Sequence, residues 1–379
     1  MKSHPDYYFF INAGLLVFFG SLFMATLSAP ESLEAFGNTN YYFFHQLTRV
    51  GIGIFLGFIA FKIPLEFLRK IAFLLLLSNI ILLVAVFAPH VGTEFLGAKR
   101  WVSVGNNSFQ PSEFLKISAI LYLSAWLAGR VKTEQKKDFL SFMKKTYHGF
   151  INVFMPFLIF LGLIVVMLYL QKDISTLGII GITLITIYFA SGTNPWHTLI
   201  TFLVGISSMA LFIKIEPYRI HRLTVFFHPE TDPMGIGLQM KQSLIAIGSG
   251  GIIGRGLGMS TQKFGFLPEA TSDSIFSIIG EEMGMIGTTI IILLFLGFLW
   301  QGLRIANRTD DRFAKLTAIG ISTWIIFQAF VNICSNLGLF PLSGIPLPFF
   351  SYGGSHVIAE LIGVGILLNI SKNAPKPHG

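Results

Sequence analysis

GEEMGMIGTTIIILLFLGFLWQG, residues 280–302, decides the fold class. Between Glu282 and Arg304 it carries no charge. A helix rises 1.5 Å per residue, so about 20 such residues cross a hydrocarbon layer of about 30 Å. Runs of the same kind recur near 8–28, 44–62, 69–88, 112–129, 150–170, 174–190, 196–214, 314–337 and 353–371, the connections at 170–174 and 190–196 being very short. The chain is 53% hydrophobic and only 12% charged, with a mean hydropathy of +0.68. That composition excludes a soluble globule. The ten-residue alternation of an outer-membrane barrel is absent, and the first run is too long for a cleaved signal peptide. The expectation is an all-α polytopic membrane protein of about ten transmembrane helices, one integral domain over residues 1–379.

Lys and Arg in the connections orient such a chain. Lys62, Arg69, Lys70, Arg130, Lys132, Lys136, Lys137, Lys144, Lys145, Arg304, Arg308, Arg312, Lys315, Lys372 and Lys376 all fall on the side of the two termini when ten spans are counted. Both termini are therefore expected in the cytoplasm, and 130–148 as a cytoplasmic connector. The large loop at about 215–279, between spans 7 and 8, then faces outward, as do 89–111 and 338–352. Arg49, Lys99, Arg100, Lys116, Lys172, Lys214, Arg219, Arg222, Lys241, Arg255 and Lys263 run against this signal, on the outer half or inside spans. Some of these can snorkel to the interface, Lys214 most easily. Cations held at membrane depth otherwise point to function, here an anionic substrate such as a phosphate or pyrophosphate headgroup.

Within the large loop, MKQSLIAIGSGGIIGRGLGMS (240–260) is apolar and rich in glycine but too interrupted to span. It reads as a re-entrant or interfacial segment lining a cavity. No strand–helix–strand context makes its glycines a nucleotide loop. The lone Cys334 allows no intrachain disulfide and no cysteine-based metal motif. His221 and His228, near Glu230 and Asp232, lack metal-ligand spacing.

Four stretches carry more specific information: GAKRWVSVGNNSFQPSEFLKI (97–117), YRIHRLTVFFHPETDPMGIGLQMKQSLIAIGSGGIIGRGLG (218–258), LPEATSDSIFSIIGEEMGMIG (267–287) and PLSGIPLPFFSYGGSH (341–356). In order and spacing they resemble the signatures of the SEDS family of bacterial cell-wall polymerases, the FtsW/RodA/SpoVE group, from end to end. FFHQL (43–47), FQPSE (109–113) and GILLNISK (365–372) lean toward the division branch, FtsW.

The resemblance implies a peptidoglycan glycosyltransferase that polymerises lipid II at the outer face of the cytoplasmic (inner) membrane. Its partners would be a class B penicillin-binding protein that makes the peptide cross-links, and other divisome membrane proteins. It would handle lipid II and polyprenyl pyrophosphate and no nucleic acid. No nucleotide cofactor is expected, and a divalent cation, Mg or Mn, is left open. Asp273 occupies the family's essential acidic position and would be the base; read alone, it serves equally well as a helix N-cap. A substrate-binding set follows from the motifs: Arg100, Trp101, Glu113, Lys116, Asp173, Arg219, Arg222, Gln239, Gln242, Glu269 and Ser351. Glu113 and Lys116, three apart, make either an internal ion pair or part of a cavity wall. Glu281 and Glu282 need a cationic partner inside the membrane, for which Lys116 or Arg100 is a candidate.

Several positions depart from the pattern. Thr271, Ser272 and Ser274 stand where His, Thr and Phe are usual, Lys172 where Pro is frequent, and His356 where a Ser is expected. A RodA-like elongation enzyme, a lipid II flippase and a scaffold for the transpeptidase are the rival readings.

Overall fold

A computed structural model describes residues 4–88, 92–95, 98–104, 107–130 and 149–373. The connector expected at 130–148 lies, past Arg130 and up to His148, outside the described residues, as does Lys376. The chain folds as α1 (Tyr7–Phe36), α2 (Tyr41–Lys62), α3 (Leu65–Ala85), strands β1 (Gly92–Phe95), β2 (Ala98–Val104) and β3 (Asn107–Phe109), then α4 (Pro111–Arg130). A π-helical turn at Phe150–Phe154 leads into α5 (Met155–Leu170), followed by α6 (Ile174–Ala190), α7 (Pro195–Ile215), α8 (Pro217–Phe227), α9 (Ile236–Gly250), α10 (Ile275–Arg308), α11 (Arg312–Asn336) and α12 (Gly354–Asn373).

Each apolar run found in the sequence is helical. Among the described residues eight helices are long and apolar enough to cross a membrane: α1, α2, α3, the Phe150–Leu170 helix, α7, α10, α11 and α12. Two others occupy the remaining expected runs. Helix α4 carries Glu113 and Lys116 in its first two turns, and α6 has 17 residues. The chain is a multi-pass membrane protein.

Burial separates centre from rim. In the apolar windows of α11 and α12, 72% and 78% of residues are buried, against 6% in α7. Lipid replaces water around the outer helices, so apolar side chains such as Phe55, Ile159 and Leu293 face outward without penalty. Contact between the inner helices relies on close packing instead. Where α2 meets α12, a Cβ on Gly365 would lie 2.0 Å from the Gly57 carbonyl oxygen, so only glycine lets the two backbones approach.

The segment expected as an outer loop at 89–111 holds regular structure in its described residues. Its three strands form an antiparallel sheet in the order β1-β2-β3, with Val102 opposite both Gly92 and Phe109. A hairpin satisfies its backbone groups by itself, which a bare loop at a membrane edge does not.

The loop at 215–279 holds α8, α9 and a coil that folds back on α10. Helix α10 is broken at Gly284, whose φ of 65° and ψ of −162° leave the helical region. Amides and carbonyls freed by the break are taken up by the coil. Arg255 and Gly256 N–H donate to the carbonyls of Glu281 and Glu282 at 3.0 and 2.9 Å, and Met285 and Ile286 N–H donate to Gly251 and Ile252 at 2.9 and 3.1 Å. Irregular backbone at this depth is tolerated because protein covers it.

The same contact corrects the expected partners of the two acids. Glu281 and Glu282 pair with neither Lys116 nor Arg100. Glu281, fully buried, binds Arg255 at 3.0 Å, and Glu282 binds Lys263 at 3.2 Å. Ser260, Thr261 and Gln262 add hydrogen bonds to Glu281. Arg255 comes from the Gly-rich segment itself and Lys263 from just beyond it, in the coil that the break in α10 brings alongside.

Candidate active site

Asp273 lies in the coil just before α10 and faces a cleft of about 370 Å³, in part open to solvent. Arg222 of α8, Ile236 and Gln239 of α9, Asn332 and Ser335 of α11, and residues 342–345 of the connection into α12 complete its walls. Arg222 directs Nη1 to the Leu342 carbonyl at 3.3 Å. Gln239 donates to Ser274 Oγ at 3.0 Å, which ties α9 to the residue next to the acid.

The acid is held by its backbone. Asn332 and Asn336 each donate Nδ2 to the Asp273 carbonyl oxygen at 2.9 Å, and Asn332 also reaches the Ile345 carbonyl at 2.7 Å. Opposite, Ser351 Oγ donates to the Ser272 carbonyl at 2.6 Å and Tyr352 N–H to the Thr271 carbonyl at 2.8 Å. The carboxylate is left facing the cleft. Its side chain caps no helix, because Ser274 takes the N-cap position of α10 and makes no side-chain cap bond there.

Burial raises the Asp273 pKa from the ordinary 3.8 to about 6, the Glu269 carboxylate adds to the rise, and Arg222 and His356 oppose it. A carboxylate so placed is a competent proton acceptor near neutral pH, which an ordinary aspartate is not. No three His, Cys, Asp or Glu side chains among the described residues could hold a metal ion.

Three non-glycine residues among those described have positive φ: Lys172 (57°), Glu269 (53°) and Phe349 (65°). Glu269 and Phe349 belong to the segments that hold Asp273, and Lys172 to the turn before α6. Each is held by polar contacts: Arg100 donates to the Lys172 carbonyl, Ser272 and Ser274 N–H donate to the Glu269 carbonyl, and Glu360 accepts from Phe349 N–H at 2.8 Å. Backbone strain of this kind persists where the surroundings over-determine it, and it gathers at functional sites.

With this geometry in hand, comparison with known proteins is direct. The family model described as "Cell cycle protein", which groups FtsW, RodA and SpoVE, matches residues 6–376. The chain belongs to the FtsW/RodA/SpoVE family. "Stage V sporulation protein E" of Bacillus subtilis is 37% identical over 371 residues, covering 98% of each chain. "Probable peptidoglycan glycosyltransferase FtsW" of Geobacter sulfurreducens is 35% identical over 377 residues, covering 98% of this chain and 96% of that one. Two solved structures share the fold. A chain of a peptidoglycan synthase complex, described for its structural coordination of polymerization and crosslinking, superposes with a TM-score of 0.76 at 23% identity, over 97% and 98% of the two chains. The rod shape determining protein RodA of Thermus thermophilus gives 0.70 at 23%, over 98% of each.

The FtsW/RodA/SpoVE motifs map unevenly onto the cleft. Asp273, Arg222 and Gln239 line it together. Glu269 is exposed at its approach, where its carboxylate accepts a bond from Ser272 Oγ. Ser351 is buried behind the acid. Gln242, on α9 one turn from Gln239, does not line the cleft. Arg219 is buried elsewhere, with Nη1 on the Phe212 carbonyl at 2.7 Å and its guanidinium over the Tyr169 and Tyr218 rings. Arg100 and Trp101 sit on β2, and Arg100 Nε donates to the Gln171 carbonyl at 3.2 Å. Asp173 caps α6 through Thr176 N–H and accepts from Gln110 and Ser112 of the first motif at 3.2 and 3.3 Å. Glu113 and Lys116 form a buried ion pair at 2.8 Å in the helix core.

Asn332, Asn336, Ser335 and Ser343 are site residues that the motif reading does not single out. Three of these four lie in α11, an otherwise apolar span, and all three are buried there. Buried amides and hydroxyls in such a helix were the available signal.

Proposed function

We infer that this chain is a peptidoglycan glycosyltransferase that polymerises lipid II into glycan strands. The observation that carries this reading is the Asp273 carboxylate, lifted toward neutrality in a cleft that also holds Arg222 and Gln239. Ionised Asp273 takes the proton from the sugar hydroxyl of the incoming acceptor. The hydroxyl oxygen bonds to the anomeric carbon of the donor as the bond to the polyprenyl pyrophosphate breaks. Negative charge develops on the departing pyrophosphate, and Arg222 is placed to compensate it. Gln239 supplies amide contacts to a sugar or stem peptide. A divalent cation, Mg or Mn, would supply counter-charge to the pyrophosphate if it arrived with the substrate, beside Arg222.

The enzyme is a single integral domain of the cytoplasmic membrane, with ten spans, cytoplasmic termini and the cleft on the outer side. The positions of the loop cations support this orientation. A class B penicillin-binding protein is the proposed transpeptidase partner, with other divisome membrane proteins around it. The polymerization-and-crosslinking complex among the structural neighbours supports such a pairing. Relatives called FtsW and a sporulation protein favour septal synthesis over elongation. Depletion should then give filaments, and round cells would reassign the enzyme to elongation.

The deciding experiment supplies purified protein, its partner transpeptidase and labelled lipid II, and scores glycan product. Wild type should polymerise and Asp273→Asn should not. Equal product from both would remove Asp273 from the chemistry. Lipid translocation in vesicles without product would point to a flippase, and partner binding with neither activity would point to a scaffold.

A further inference from the structure

Glu360 and His356 lie one turn apart on α12, both buried, with His356 Nδ1 3.3 Å from Glu360 Oε1. Neither lines the cleft. Glu360 uses its other oxygen to accept from Phe349 N–H at 2.8 Å. Phe349 is the residue at φ 65°, two positions before Ser351. Ser351 in turn supports the Ser272 carbonyl, and Tyr352 supports that of Thr271. A short chain of contacts thus runs from Glu360 to the backbone that carries Asp273.

A second strand of the network reaches the same loop. Gln328 donates Nε2 to Glu360 Oε1 at 3.3 Å and to the Pro346 carbonyl at 3.1 Å. Its Oε1 accepts from Lys116 Nζ at 2.8 Å and from Trp324 at 2.9 Å. Lys116 is compensated by Glu113 at 2.8 Å, and Glu360 Oε1 faces His356 Nδ1 at 3.3 Å. A carboxylate buried at such a place without a partner is costly, so its geometry is tightly constrained.

We propose that Glu360, partnered by His356, is a positioning residue for Asp273: it clamps Phe349 in the left-handed conformation and so sets the 347–352 turn beneath the acid. Lys116 and Glu113 then serve the reaction by holding Gln328, the same turn's other anchor, and not by touching substrate. The activity arm of the test rests on the glycosyltransferase reading, while the clamp itself is tested without it.

The full-length protein with its partner is compared as wild type, Glu360→Ala and Glu360→Gln, by amide hydrogen exchange and by steady-state polymerisation of lipid II. Glutamine keeps an oxygen for Phe349 N–H and places its amide at the Oε1 position, beside His356 Nδ1 and Gln328 Nε2. Glu360→Ala should speed exchange at 349–352 and 271–273 at least tenfold and leave the middle of α11 unchanged. Its kcat should fall tenfold or more with KM within twofold. Glu360→Gln should restore exchange and kcat to within about threefold of wild type. Unchanged exchange at 349–352 in Glu360→Ala overturns the clamp. So does equal damage by Ala and Gln, which would mark a purely electrostatic role in the core. If Glu360→Ala does not fold, Glu360→Gln decides: faster exchange at 349–352 in a folded Gln variant overturns the proposal, and wild-type exchange upholds it. A wild type that makes no glycan refutes the enzymatic reading, and the exchange result on the clamp still stands.

Discussion

The neighbours of Asp273, the proposed base, make ionisation difficult without preventing it. Burial and Glu269 push its pKa up, while Arg222 and His356 hold it to about 6. The initial rate of lipid II consumption should therefore rise with pH through an apparent pKa near that value, since the base must be ionised. Arg222→Ala removes a charge that favours the carboxylate, so the acid limb of that profile should move to higher pH, and the rate at neutral pH should drop by about 10–100-fold. An unmoved limb would mean that Arg222 and Asp273 do not sense each other. Stability carries the same information with opposite sign. An unfolded chain ionises Asp273 near 3.8 and the native one near 6, so in that window the native state keeps a proton the unfolded state has lost. Native stability then falls as pH rises through the window. Asp273→Asn should consequently keep or raise the melting temperature at pH 7, measured in detergent, while its glycan product falls by about 10²–10⁴-fold. Loss of activity with a lower melting temperature would instead indicate a damaged fold.

At the scale of elements, the break in α10 organises the packing of the 251–263 coil. Gly284 sits at φ 65°, and a Cβ there would come within 2.4 Å of Gly254 N. Both facts make glycine obligatory. Gly284→Ala should cost about 1–3 kcal/mol from backbone conformation alone, with the clash in addition. The check is thermal unfolding of the detergent-solubilised variant, and a melting temperature equal to wild type would show that the break is dispensable. A straightened α10 would pull Glu281 and Glu282 from Arg255 and Lys263. It would leave two buried acids without cations.

For the whole molecule, the prediction is one of sidedness. In a Cys334→Ser background, Glu230→Cys in the exposed turn between α8 and α9 should react with a membrane-impermeant maleimide in intact spheroplasts. Lys70→Cys, exposed at the start of α3, should react only after permeabilisation. The reverse pattern would invert the topology and place the cleft in the cytoplasm.

The helices and their membrane setting were legible in residues 280–302 and the runs like it, because a backbone crossing lipid must satisfy its own hydrogen bonds, and run length alone then specifies a helix. The motif around Asp273 marked it as a candidate, and the fold places it on the cleft wall. Its partners were not legible. Asn332 and Asn336 lie 59 and 63 residues from Asp273, and Gln328 lies 212 residues from Lys116. Arg255 and Lys263, which neutralise Glu281 and Glu282, lie in and just beyond the Gly-rich segment, and nothing in their spacing tied them to those acids. Glu113 and Lys116 satisfy each other locally, as their spacing allows, but only helix packing placed them in the core and away from the cleft wall. Apolar helix faces specify burial without specifying a partner. Which polar groups meet inside, and hence how strongly Asp273 holds its proton, was decided by the tertiary structure.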